Sequence, residues 1–467
     1  MAHFRAAECR IDIPVLVITP VLIAHSRFIL LLAPLALAGC IAYHAEPTTP
    51  RQEAARFDSR NLNDPAIRQG IAKALGHTPP TWNCEALTQA AFLLHPDLEL
   101  ARAQLRTAQG AIRTAGAHPN PTLGFDGQIT GNMLQGMKPW SLGFSLDIPI
   151  ETAGKRGYRL DQAHAAAQSA ALQIVTTEWQ VRRRVRKSLV ELYAATQRAE
   201  FLAHEQQTQD QTLRALDERV AAGEISRPEL IQQRLLYNQS QLLLRDAERM
   251  KAESRAALAD AVGIPASAID SIQLDLSEFA RTPEAVAADR LRSKAMLRRT
   301  DVLSALADYT ASEAALHLEI AKQYPDFHFN PGYLWDQGQD KWFITPTVEL
   351  PVFHHNQGPI AEATGKRAEA AAKFRAQQMK AAGEIDKALA TFRGALKKLQ
   401  TADSLLASQE KQKQSAEVLL KAGETDRLAL LSAEVEYEAT NVSRLDALAE
   451  AQQALGQLED AAQTTLK

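Results

Sequence analysis

His354-His355 invites a metal reading. Adjacent residues point to different faces, no third ligand lies nearby in sequence, and the pair falls in a loop or corner. The two histidines therefore read as structural, with metal contact as the alternative. Ala153-Gly154-Lys155-Arg156 has part of a phosphate loop, yet Pro149 stands where the leading glycine belongs and no Ser or Thr follows Lys155. It reads better as a corner where a strand enters a helix. Arg182-Arg183-Arg184 with Arg186 and Lys187 suggests nucleic acid. Val181, Val185 and Leu189 form an apolar stripe on the same helix, so the basic residues read as its solvated face. No H-E-x-x-H, G-x-S-x-G, paired C-x-x-C or EF-hand loop occurs, and the chain reads as a non-enzyme with no cofactor.

Composition points the same way. Lys plus Arg is 52 against 55 Asp plus Glu, whereas a nucleic-acid binder carries a concentrated basic excess. Aromatics are only 6% of the 467 residues and mean hydropathy is −0.24, too polar for a bundle of apolar spanning helices. Three cysteines, Cys9, Cys40 and Cys84, cannot build a disulfide framework.

Covalent chemistry is expected at Cys40. Arg27 precedes an apolar run from Phe28 to Ala38, which ends in Leu37-Ala38-Gly39-Cys40. This is a signal-peptide pattern. Its last four residues resemble a bacterial lipobox, whose cysteine is diacylated and becomes the new first residue. Plain cleavage with Cys40 incidental is the alternative. Ile41 follows Cys40, and in bacterial lipoproteins a residue other than Asp there implies outer-membrane sorting. A second apolar run, 13–24, reads either as an overlong start or as part of an extended signal. After processing, Cys84 would be the only unmodified cysteine, so no intrachain disulfide is expected.

These residues are set in a duplicated frame. Asn120-Pro121-Thr122-Leu123-Gly124-Phe125 recurs 204 residues on as Tyr324-Pro325-Asp326-Phe327-His328-Phe329. Asp147-Ile148-Pro149-Ile150 recurs 202 residues on as Glu349-Leu350-Pro351-Val352, and Ala222-Gly223-Glu224 recurs 200 on as Ala422-Gly423-Glu424. Matches in one order with so little drift mark a tandem repeat. The domains expected are a signal at 1–39, a lipidated segment at 40–83, and repeats at 84–282 and 283–467. Strands are expected near 121–130 and 140–149, then near 326–335 and 342–351, because apolar residues there alternate with a period of two. Loop compositions separate the paired strands, from Gly131 to Pro139 and from Asp336 to Asp340.

Each repeat reads as helix, two strands, very long helix, turn, helix. No proline interrupts Lys155 to Ala222, and such a rod reaches roughly 100 Å. The second rod, Gly358 to Ala422, carries Ile385, Leu389, Phe392, Leu396, Leu399 and Leu406 as a heptad seam. Both rods end in capped tips. Gly223 and Gly423 suit the left-handed conformation that ends a helix. Ser226 is expected to form a capping box with Glu229, with Pro228 in the first turn, and Thr425 or Asp426 to cap the second return helix.

Four strands of nine to ten residues match the length of membrane-spanning strands, and Trp140, Tyr333, Trp335 and Trp342 suit an interfacial girdle. Four strands leave open edges, which lipid forbids. Three chains would supply twelve. Two soluble hairpins on a coiled-coil protein are the alternative, but neither hairpin face has a partner core in the sequence.

The whole arrangement, over roughly residues 84–465, resembles the TolC-like family of outer-membrane efflux channels. The residues that carry the resemblance are the two strand-to-helix segments, Asp147-Ile148-Pro149-Ile150-Glu151-Thr152-Ala153-Gly154-Lys155-Arg156 and 350–363, with the tips and the lipidated start. The resemblance implies a mainly helical homotrimer that closes a 12-stranded outer-membrane barrel over a periplasmic tunnel. It also implies docking of a periplasmic adaptor and an inner-membrane RND-type pump at the tips, contact with outer-membrane lipid, and no nucleic acid. The wording of the two corners is most similar to the cobalt-zinc-cadmium heavy-metal branch.

Docking at the tips would involve Gly223, Glu224, Ser226, Arg227, Glu229 and Leu230, with Gly423, Glu424, Asp426, Arg427, Leu428 and Leu431. Some family members carry acidic residues at the narrowest point of the channel. The matching positions here are Ala429 and Ser432, a departure that leaves Asp426 as the acidic candidate for a constriction. A periplasmic adaptor lipoprotein is the competing class. Adaptors have one hairpin flanked by β-rich domains, whereas this chain has two hairpins and four strands.

Overall fold

The computed structural model describes residues 43–131, 138–286 and 288–466. Cys40, the lipobox around it and the 13–24 run lie outside the described residues. The chain divides into two units between Arg56 and Phe57. In the first, residues 43–49 lack regular structure and helix α1 (Pro50–Asp58) begins, with every residue exposed.

The second unit holds the duplicated frame. After α2 (Pro65–Leu75) and α3 (Cys84–Leu94), repeat one runs α4 (Pro96–Gly116), β1 (Thr122–Ile129), β2 (Trp140–Ile150), α5 (Lys155–Ala221) and α6 (Arg227–Val262). A short α7 (Ala266–Asp270), one 3-10 turn (Ser277–Ala280) and α8 (Ala288–Arg298) lead into repeat two. There the order recurs as α9 (Thr300–Ala321), β3 (Phe327–Asp336), β4 (Gln339–Val348), α10 (Gln357–Ala422) and α11 (Arg427–Ala462). The rods α5 and α10 have 67 and 66 residues, each about 100 Å long at 1.5 Å per residue.

Both rods start the same way. A left-handed residue precedes the first turn, Gly154 (φ 73°) before α5 and Asn356 (φ 59°) before α10. The core lies midway along the rods. Val181, Val185 and Leu189 of α5 are fully buried with Leu258 and Val262 of α6, Leu87, Leu98, Ile269 and Phe279. Ile385, Leu389, Phe392 and Leu399 of α10 bury against Leu448, Ala451 and Leu458 of α11, so the heptad seam packs as its spacing requires. Leu396 and Leu406 are only half-buried. Each fully buried large side chain contributes about 1.5–3 kcal/mol. Leu62, Ile71 of α2 and Trp82 also enter the first core, and Trp82 bridges in parallel to Leu274.

The four strands form one antiparallel sheet in chain order. β4 begins at Gln339 and ends at Val348, three residues earlier at each end than the 342–351 spacing suggests. The cause is the turn. Gln337 and Gly338 both have positive φ, 53° and 105°, so two residues close the hairpin and Asp336 pairs directly with Gln339. Residues 349–351 then pass beyond Phe327, the first residue of β3, and among the described residues no strand pairs with them.

Candidate functional site

The sheet has two unlike faces. Paired across it on one side are Phe125 with Phe144, Ile129 with Trp140, Leu142 with Trp335, and Tyr333 with Trp342. These side chains face outward, Phe125 and Trp342 being 78% and 77% exposed. Trp140, Trp335 and Trp342 gather at the hairpin ends, where an interfacial belt would lie. The other side carries Asp126, Gln128, Ser145, Asp147, His328, Asn330, Thr345 and Thr347. His328 Nδ1 lies 2.9 Å from Asp147, Asn330 donates to Thr347 Oγ1 at 3.2 Å, and Lys341 pairs with Asp336 at 2.6 Å. A sheet apolar on its solvent face has no place in water, whereas a barrel wall with lipid outside and water inside needs this alternation. Among the described residues no helix is long and apolar enough to cross a membrane.

The corners lock the sheet to the rods. Lys155, 7% exposed, donates to Tyr324 O at 2.7 Å and to Asp326 at 2.8 Å, while Thr152 N–H donates to the same carboxylate at 2.8 Å. Burial pushes the Asp326 carboxyl up, but these donors outweigh it and hold the group below its usual range. Arg159 grips Glu151 with two guanidinium nitrogens and keeps that carboxyl low. In repeat two, Asn356 Nδ2 donates to Glu319 O at 2.7 Å. His354 Nδ1 accepts from Asn356 N–H at 3.2 Å and His355 N–H donates to Gln357, so both exposed histidines sit in this corner.

At the far end are the tips. Gly223 (φ 77°) and Gly423 (φ 72°) end the rods in the left-handed conformation. Their hydrogen bonds coincide: Glu224 N–H to Arg219 O and Glu424 N–H to Leu419 O, both 2.9 Å. The expected Ser226 capping box does not form. Ser226 occupies the cap position, but its hydroxyl donates to Glu229 Oε1 at 2.9 Å and takes no backbone N–H. Once the hydroxyl and carboxylate satisfy each other, neither is left for the orphan amides. In the second tip, Asp426 caps α11 by accepting from Ala429 N–H at 3.0 Å.

The structure joins the two tips through Arg219 and Gln211, which the sequence reading passed over, and through Asp426 and Arg427, which it placed there. Arg219 Nη1 reaches Asp426 at 3.2 Å while its Nε holds Glu224 at 3.2 Å, and Arg427 donates to Gln211 at 3.4 Å. A cation in the last turn of α5 and an acid capping α11 each suit their helix dipole, which was the available signal. The pair is exposed, worth about 0.2–1 kcal/mol. Leu431 is buried, Leu230 and Leu428 are half-buried, and Arg227, Ala429 and Ser432 are exposed.

The basic run on α5 is only in part the solvated face its sequence suggests: Arg183 and Lys187 are exposed, whereas Arg182 and Arg186 are half-buried. Arg183 pairs with Asp460 at 3.1 Å, Arg186 donates to Gln452 at 3.0 Å, and Arg184 binds Asp97. α5 is packed between α4 and α11, so its polar side meets partner helices and clamps them.

A two-faced sheet on paired rods defines an outer-membrane duct subunit. The sequence pattern of the outer membrane efflux protein family matches residues 87–264 and 291–462, and the chain belongs to that family. It is 24% identical to the cobalt-zinc-cadmium resistance protein CzcC of Cupriavidus metallidurans over 57% of this chain. That match spans only 62% of CzcC itself. It is also 24% identical to the cation efflux system protein CusC of Escherichia coli, over 78% of this chain and 82% of CusC. The crystal structure of the outer membrane protein VceC from Vibrio cholerae superposes with a TM-score of 0.66 at 20% identity, covering 81% of this chain and 95% of VceC. The adaptor reading is not favoured.

Proposed function

We propose that the protein is the outer-membrane channel of a tripartite efflux system, a passive duct whose tips receive a periplasmic adaptor and an inner-membrane pump. The observation that carries this is the sheet: lipid-compatible on one face, polar on the other, and open at both edges. Three copies supply twelve strands and leave no edge in lipid. Acylation of Cys40 would add a lipid anchor on the periplasmic side. Heavy-metal cations are the cargo this reading favours, since CzcC is a cobalt-zinc-cadmium resistance protein and CusC a cation efflux system protein. The tips Gly223–Leu230 and Gly423–Leu431 form the docking surface, and Asp426, held by Arg219, is the acidic group of the closed end. Ala429 and Ser432 add no charge there.

The test is electrical and genetic together. Purified protein in a planar bilayer should give discrete conductance steps, and deletion of its gene should raise metal sensitivity in the host. A protein that inserts yet never conducts, with no change in sensitivity to any exported compound, would contradict the duct.

A further inference from the structure

His95 stands at a joint between helices that its own chemistry can open. Its backbone N–H donates to Ala91 O at 2.8 Å and ends α3, while its side-chain Nδ1 accepts from Asp97 N–H at 3.2 Å and caps α4. The residue is 6% exposed, and an imidazole with an unprotonated Nδ1 is the form that fits there. The end of α6 presses on the same point. Gly263, with φ 84°, comes so near that a Cβ there would meet His95 Cα and Leu94 O at 3.1 Å. Arg60 closes the joint from the N-terminal side, its Nη1 donating to Leu94 O at 2.9 Å and to Gly263 O at 2.8 Å. The charged groups that face the imidazole are Arg60, Asp97, Arg184 of α5 and Asp260 of α6. The Asp97 carboxylate stands 3.8 Å from Nδ1 and is already bound by Arg184.

We infer that His95 is an acid-sensitive latch: neutral, it caps α4 and keeps the joint of α3, α4 and α6 closed under Arg60; protonated, it gives up the cap and loosens that joint. A proton on Nδ1 removes the acceptor of the Asp97 N–H. It also sets a positive charge at the start of a helix, the end whose dipole repels it. The same charge faces Arg60 and Arg184. Burial, then Arg184 and Arg60, push the imidazole below its ordinary 6.5, while Asp97 and Asp260 pull the other way. Because the folded value is lowered, the contribution of the neutral ring is whole above pH 6.5 and is lost as pH falls through the folded value. The duplication supplies a control. The offset of 204 residues turns His95 into Arg299, which is 5% exposed and donates to Asp301 at 3.0 Å and to Glu384 at 2.7 Å, with no side-chain cap of its helix. A guanidinium keeps its charge throughout, so the matching joint of repeat two has no such latch.

The experiment is hydrogen exchange on the full-length protein in detergent at pH 7.5 and pH 5.0, corrected for the intrinsic effect of pH on exchange. In the native chain, peptides over 58–63 and 93–100 should exchange about fivefold faster or more at the lower pH, the size of a lost helix cap. Peptides over 385–399, in the second core, should not change. His95→Asn keeps a capping oxygen that takes no proton, and its joint should stay closed at both pH values. His95→Ala has neither cap nor proton, and its joint should be loose at both. A merely structural cap would give no difference between the two pH values in the native chain, and that result would overturn the latch. Acid loosening of native size in either variant would show that another group titrates, and would overturn it as well.

Discussion

Replacing Gly223 by valine should loosen the first tip and leave the rest of the molecule unchanged. Gly223 has φ 77°, and a Cβ built there meets nothing within 4 Å. The cost is therefore in the backbone alone. An L-residue in the left-handed region loses roughly 1–2 kcal/mol, and a β-branched one fares worst. A loss of that size raises the local opening equilibrium about 5–30-fold. The bonds that report it are Gly223 N–H to Val220 O at 3.0 Å and Glu224 N–H to Arg219 O at 2.9 Å. Leu189, at the tipward end of the fully buried α5 stripe, lies about 50 Å up the rod, so opening at the tip does not reach it. Hydrogen exchange on the detergent-purified protein should show tip peptides accelerated by that factor, with peptides over 181–192 and 385–399 unchanged. Gly223→Asn should exchange almost as the native chain, since asparagine tolerates this conformation. Gly423→Val should act in the same way on the second tip, and both valine variants should lose export while still assembling. Native-like exchange at the tip, or equal acceleration in the core, would refute the reasoning.

Cys40→Ser should abolish labelling by a fatty-acid probe, and undiminished labelling would remove the lipobox assignment. Phe392→Ala, at a site 1% exposed in the rod seam, should cost about 3–5 kcal/mol and lower the thermal midpoint clearly; an unchanged midpoint would mean the seam does not hold the rods. Burial, reinforced by the charge of Glu278, pushes the Cys84 thiol up to about 12 against the opposing Arg186 and Arg182. Because the folded value is raised above 9.0, its contribution to stability is complete below that pH and is lost as pH climbs towards 12. At pH 8 a thiol reagent should modify Cys84 only after denaturation, and labelling of the native protein would contradict its buried place.

Much of this was legible because the repeat and the two periodicities are strong signals. The heptad residues Ile385, Leu389, Phe392 and Leu399 pack where their spacing puts them, and Gly223 and Gly423 take the backbone that only the left-handed region allows. The errors lie where a residue had two partners to choose from. Ser226 meets the Glu229 carboxylate rather than an amide, and local spacing cannot distinguish the two. The start of β4 moved because Gln337 adopts a positive φ that its identity does not announce. Nothing near Arg183, Arg186 or Arg219 in sequence announces the partners that distant helices bring to them, Asp460, Gln452 and Asp426. Leu62, Ile71 and Trp82 carry no periodic signal long enough to reveal that they enter the first core.

The number of chains in the membrane-inserted assembly tests the central claim most directly. Native mass spectrometry of the protein released from lipid nanodiscs should give three copies, because four strands with two open edges cannot stand in a bilayer alone. A stable single-chain species that keeps its β-structure in lipid would contradict the account.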